Sequence, residues 1–293
     1  MTTLVIHGTL AQGATWAVSS WGDTGFLSGV AQGFDAVDAP DDVWRINGRD
    51  ITEYRGLSHF QWSGSHEGTG RGDAAAQLAD YLTHVADLTD EPIRVIAHSH
   101  GCNVFKLATS LPQLGRHVWI DQAVFLACPH FYEDNYESDG TTGWQALMRG
   151  DLSQGYRRSG HLFRYPLDPD RVGRILNLYT EADAIQCRVA KLLGSTTPPL
   201  PGSLLANFGT LWRAGGAERP NAAREEMDAS VAHLYENCAL HLRGRCSGFR
   251  AHSTVHGLEV GRLCGIWLGS GMSIGQIARD IGLPDLSCDD TGD

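Results

Sequence analysis

The run Ile93-Arg94-Val95-Ile96-Ala97 has the make-up of a buried strand, and only a few residues later Val104, Leu107, Ala108 and Leu111 recur on one helical face until Pro112 ends the element. Between them stands His98-Ser99-His100-Gly101, with no polar turn. A strand that turns this abruptly into a helix is the unit from which crossover-connected sheets are built. It also forces the residue at the bend into strained backbone angles, so positions two away on either side must be small. Ala97 and Gly101 meet that requirement around Ser99.

The same alternation runs along the rest of the chain. Leu4-Val5-Ile6 is a short apolar run closed by His7-Gly8-Thr9, and His59-Phe60-Gln61-Trp62 reads as a second strand closed by Ser63-Gly64. Ala75, Leu78, Leu82, Val85 and Ala86 place a crossover helix between Asp73 and Leu88. Strands are expected at 122–127 and 174–179, and a closing helix at 258–268. The prediction is a single α/β domain over 1–293, with a mainly parallel central sheet and helices on both faces. Two stretches break the pattern. Residues 129–166 are rich in aromatics, Gly and Asp; residues 195–236 open on Thr-Pro-Pro-Leu-Pro-Gly and carry Leu204, Leu205, Phe208, Leu211 and Trp212 on a helical stripe. Both are candidate cap or lid insertions. Ile274, Ile277 and Ile281 are expected on a helix packed against the body, and 285–293 reads as a disordered tail.

Composition narrows the partners. With 293 residues the chain can bury a sizeable core, and no window approaches twenty consecutive apolar residues, so no stable membrane span is expected. A formal charge of −11 disfavours nucleic-acid phosphate as a partner. The opening MTTLVIHG shows no Sec-type leader, which makes the cytoplasm the default location and leaves export by a non-Sec route open. Seven cysteines without CxxC pairing argue against a zinc site or a disulfide framework; whether Cys238 and Cys246 bridge is left open. His66-Glu67 lacks a second histidine at metalloprotease spacing, and the glycines of 64–72 lack a phosphate-loop lysine.

Ser99 therefore carries the functional question. A bend of this kind lifts a serine hydroxyl above the edge of the sheet, where a base and a substrate can reach it. A hydroxyl needs a base to take its proton and an acid to orient that base. Thr180-Glu181-Ala182-Asp183 follows the 174–179 strand and offers Asp183, with Glu181 as the alternative. Arg250-Ala251-His252-Ser253-Thr254-Val255-His256 precedes the closing helix and offers His252 as base, with His256 as the alternative. Attack on a carbonyl also creates an oxyanion, which calls for two backbone amides. His100 supplies one, and Thr9, or Leu10 behind it, the other. His98 and His100 are expected to shape the turn and pocket.

Taken together, His7-Gly8-Thr9, Trp62-Ser63-Gly64, the 97–104 stretch, Asp183-x-Ile185 and Ala251-His252-Ser253 resemble the α/β-hydrolase superfamily. Within it they are most similar to bacterial lipase and esterase-like serine hydrolases with an AHSHGGN elbow, whose relatives include phospholipase-type effectors of bacterial secretion systems. Where those proteins usually carry a second glycine this chain has Cys102, and the two insertions match nothing in the family. The resemblance implies an esterase or lipase working through an acyl-enzyme, with no cofactor and no metal, on a small-molecule or lipid ester, with transient contact to a lipid surface left open. A non-catalytic hydrolase-fold binding module, or a thioesterase or peptidase using the same site, are the competing readings.

Overall fold

The computed structural model describes residues 2–8, 25–39, 70–128, 167–180, 231–243 and 254–287, together with Phe60, Trp62, Gly64, Asp183, Ala251 and His252. It also gives backbone structure at 53–54, 57–58, 68–69, 132–133, 162–163 and 229–230.

Five strands form the central sheet: β1 (Thr2–Ile6), β2 (Ile93–His98), β3 (Ile120–Leu126), β4 (Val172–Tyr179) and β5 (Tyr235–Ala239). They lie side by side in chain order, and every neighbouring pair is parallel. β1 and β2 are buried along their whole length, which is why they read as continuous apolar runs rather than as alternating ones. The period of two survives in where each residue goes. Leu4, Ile6, Val95 and Ala97 point into one helical layer, and Val5 and Ile96 into the other.

The first layer contains α2 (Gly68–Leu88) and α3 (His100–Thr109). Ala75, Leu78, Leu82, Val104, Phe105 and Ala108 join the sheet residues there, so the periodic positions that predicted these helices are the ones they bury. The second layer contains α1 (Phe26–Asp35) and α4 (Leu258–Ser270). These two helices start from a backbone bridge between Gly25 and Gly257 and then pack unusually closely. A β-carbon added to Gly29, Gly33, Gly261 or Gly265 would run into the backbone of the opposite helix, at Leu258, Arg262, Phe26 and Val30 respectively. Only glycine permits an approach this close.

Several expectations need correction. Phe60 and Trp62 are buried but belong to no strand; the local strand pairing is a short antiparallel one between Glu53–Tyr54 and Leu57–Ser58. The Trp62 indole N–H donates to the His7 carbonyl at 2.8 Å, so its place is set by a contact with the loop after β1. The insertion expected at 195–236 runs too far, because Tyr235 and Glu236 open β5 and Ala229–Ala232 is helical. The tail expected to be disordered from 285 is ordered through 287: Leu286–Ser287 pairs in parallel with Leu242–Arg243, and Asp285 forms an ion pair with Arg243. The α5 helix (Ile274–Asp280) begins with a capping box between Ser273 and Gln276 and buries Ile277, but Ile281 is half exposed. Within 129–166 the described backbone is an antiparallel pair, Tyr132–Glu133 with Leu162–Phe163. The rest of that insertion, 195–228 and residues 288–293 lie outside the described residues. No helix among the described residues is long and apolar enough to cross a membrane.

Candidate active site

β2 ends at His98, α3 begins at His100, and the single residue between them is Ser99. Its backbone angles are φ 51° and ψ −127°, in the left-handed half of the map that side chains seldom occupy. Strain of this kind costs about 1–3 kcal/mol and persists only where the surroundings over-determine it. Here they do. The Ser99 N–H bonds to the Leu126 carbonyl at the end of β3 (2.8 Å), and the Ser99 carbonyl accepts from the Cys102 N–H at 3.0 Å.

Two glycines let the chain close around this bend. A β-carbon on Gly101 would lie 2.5 Å from the His7 carbonyl oxygen, and one on Gly8 would lie 2.8 Å from the Ser99 β-carbon and 2.9 Å from His98 Nδ1. The loop leaving β1 therefore passes directly over the serine. It is held there by Trp62, whose ring stacks on His7 at 5.5 Å while its N–H binds the His7 carbonyl. Gly8 ends the described part of this loop; Thr9 and Leu10, expected to supply an oxyanion donor, lie outside the described residues. His100, the other expected donor, opens α3, and first-turn amides of a helix have no intrahelical acceptor.

The departure at Cys102 has a plain structural role. Its thiol donates to the Ala97 carbonyl at 3.2 Å and is fully buried beneath the bend. Burial, with the Cys128 thiol beside it, holds Cys102 well above the usual thiol range, so it stays protonated. Cys238 is a free, buried thiol, and Cys246 lies outside the described residues.

Asp183 and His252 meet. Asp183 sits just beyond β4, its N–H bonded to the Thr180 carbonyl at 3.2 Å, and it is fully buried. Its Oδ2 is 2.7 Å from His252 Nδ1. That bond leaves the other ring nitrogen, Nε2, for a different partner. The His252 ring lies 4.7 Å from the ring of His98, the residue before Ser99, so carboxylate, imidazole and serine converge at the carboxyl edge of the sheet. Among the described residues no hydrogen bond joins the Ser99 hydroxyl to His252. Such contacts are often long before substrate binds.

The alternatives part company here. His256 packs edge-on against His98 at 4.0 Å, and desolvation of its ring, with His252 nearby, pulls it down to about 3. It is a neutral packing ring. Glu181 lies outside the described residues. His98 makes ring contacts with His252 and His256, and His100 Nδ1 lies 3.4 Å from the Asn103 side-chain amide. Trp62 and Gly8 belong to the site as its roof and clearance. The Trp62-Ser63-Gly64 and His7-Gly8-Thr9 patterns signal both in the sequence.

An open cleft of about 480 Å³ lies elsewhere, lined by Arg94, Asp121, Gln122, Arg174 and the last turn of α4. These strand residues occupy the amino ends of β2 to β4. Ligands of open parallel sheets bind at the carboxyl ends, so the cleft does not compete with Ser99.

The structure thus defines an α/β protein with a five-stranded parallel sheet. No known protein family matches the chain, and no curated protein matches it in sequence.

Proposed function

We propose that the chain is a serine ester hydrolase of the α/β-hydrolase kind. The observation that carries this reading is the 2.7 Å bond between His252 and the buried Asp183, formed across 69 residues of sequence beside a serine held at φ 51°. A core has no evident packing reason to bury a carboxylate against an imidazole next to a strained serine. The order of the groups along the chain, Ser, then acid, then His, fits as well.

In the proposed cycle His252, oriented by Asp183, takes the Ser99 proton as the serine oxygen attacks the ester carbonyl carbon. The oxyanion rests on the His100 amide and on a second amide from the Thr9–Leu10 loop. Collapse breaks the bond to the alcohol, which leaves with the proton carried by His252. Water, deprotonated by the same imidazole, then attacks the acyl-enzyme and restores Ser99 as the carboxylic acid departs. The substrate class is a small-molecule or lipid ester.

The test combines labelling and turnover. A fluorophosphonate probe should label Ser99 in the intact protein, and Ser99→Ala should lower p-nitrophenyl ester hydrolysis by about four to six orders of magnitude with the fold retained. Unchanged hydrolysis in Ser99→Ala would sink the assignment. The near-complete burial of Ser99 favours a second reading, a hydrolase-shaped binding module; an unlabelled Ser99 would select it. Thioester and peptide substrates in the same assay separate the leaving groups.

A further inference from the structure

Three imidazole rings meet at the carboxyl edge of the sheet, and the proposed chemistry uses only one. His98 stands in the middle, 4.7 Å from His252 with the planes tilted by 53°, and 4.0 Å from His256 in an edge-on contact. Gly8 presses against the His98 ring and the Ser99 β-carbon together. Such a group of histidines invites a metal reading. Among the described residues, however, no three of His, Cys, Asp or Glu are arranged to hold an ion.

We propose that His98, backed by His256, is a positioning residue for the base: the two rings form an uncharged wall that fixes His252 between Asp183 and Ser99 and leaves it as the sole proton carrier of the group. The inference rests on the hydrolase reading above. The bond to Asp183 anchors His252 at one nitrogen, about which the ring can still swing; the His98 face removes that freedom. A neutral aromatic face also tolerates an imidazolium beside it, whereas a charged one would repel it.

The surroundings favour the neutral form. His98 is held well below the usual histidine range, first by burial and then by His256, His252, His7 and His100 around it. His256 is lowered by burial and by His252, and His7, on the β1 loop, is lowered chiefly by burial. The Asp183 carboxylate is bonded to His252, the ring on the other side of His98 from His256.

The test is a comparison of His98→Ala with His98→Phe, using a p-nitrophenyl ester and normalising each rate to the fraction of Ser99 labelled by a fluorophosphonate. His98→Ala should lower kcat about 10- to 100-fold with KM nearly unchanged, and should displace the acid limb of the kcat/KM profile upward as water enters beside His252. His98→Phe restores a ring without a titratable nitrogen and should recover most of kcat and the original limb. Loss of folded protein alone would reduce the labelled fraction without moving the limb. A wild-type kcat and pH limb in labelled His98→Ala would overturn the proposal. Nitrogen-15 NMR of the wild type supplies a check independent of any variant: His98 and His256 should stay neutral throughout the pH range in which activity falls, and protonation of either there would overturn it. Failure of the wild type to be labelled would remove the hydrolase reading itself, a distinct outcome that takes this inference with it.

Discussion

The two ends of the sheet place their charged groups differently. At the amino end, Arg174 donates through its two terminal nitrogens to the Trp267, Gly271 and Met272 carbonyls at the end of α4 and lies over the Trp267 ring at 4.1 Å. Glu236 stands 3.8 Å away. The cation there caps a helix whose carbonyl end attracts positive charge. At the carboxyl end, Ser99 and Ala127 hold positive φ angles of 51° and 48°, the Asp183 carboxylate is fully buried, and His7, His98 and His100 are buried beside it. One end spends its polar groups on holding the fold together, and the other spends stability on holding a constellation. Strained backbone of this kind persists only where its surroundings over-determine it.

Three substitutions or conditions would break or sharpen that contrast. The largest effect is expected from Asp183→Asn, which keeps the shape but removes the charge that selects the His252 tautomer. Ester turnover should fall by about 10⁴-fold, measured against the labelled fraction, with little loss of thermal stability. Arg174→Met should do the reverse. It removes three bonds to helix carbonyls, so urea unfolding should show a loss of about 2–4 kcal/mol, while kcat/KM per labelled site stays at wild type. If Arg174→Met impaired turnover as strongly as Asp183→Asn, the division between the two ends would fail.

The smallest effect is in pH dependence. His256 falls from the ordinary 6.5 to about 3 in the folded protein through burial. Above pH 6.5 it is neutral in both states and contributes no pH dependence. Below that the unfolded chain takes the proton first, so stability is lost as pH drops toward 3. The loss should be about 2 kcal/mol between pH 6.5 and 5, with His98 acting in the same direction. Denaturant titrations at the two pH values measure it, and His256→Phe should flatten the curve by that amount.

Legibility in the sequence followed the same division of labour. Elements with a strong single period were readable: β2 and α3 from Ile93 to Leu111, the body of α2, and α4. The strained angle at Ser99 and the meeting of Asp183 with His252 were readable too, because mechanics and chemistry restrict which residues can stand there. The α1 helix was not. Its sequence, FLSGVAQGFD, carries two interior glycines that lower helix propensity, and those glycines are there for a contact with α4 more than two hundred residues away. Phe26, Val30 and Phe34, four apart, were the signal that remained. The β5 strand was hidden for the opposite reason. As a half-exposed edge strand carrying Glu236 and Asn237, it lacks the apolar run that announced its neighbours. Where a residue is chosen by a distant partner, local pattern cannot reveal it.

The close seating of α1 on α4 carries a temporal consequence. A nascent chain displays the glycine face of α1 more than two hundred residues before the helix that seats on it is made. Until then Phe26, Leu27, Val30 and Phe34 have no cover on that side, and the imidazole at 252, just upstream of α4, has no fixed station. Seating of α1 and placement of His252 are thereby tied to the emergence of one distant segment, residues 258–270.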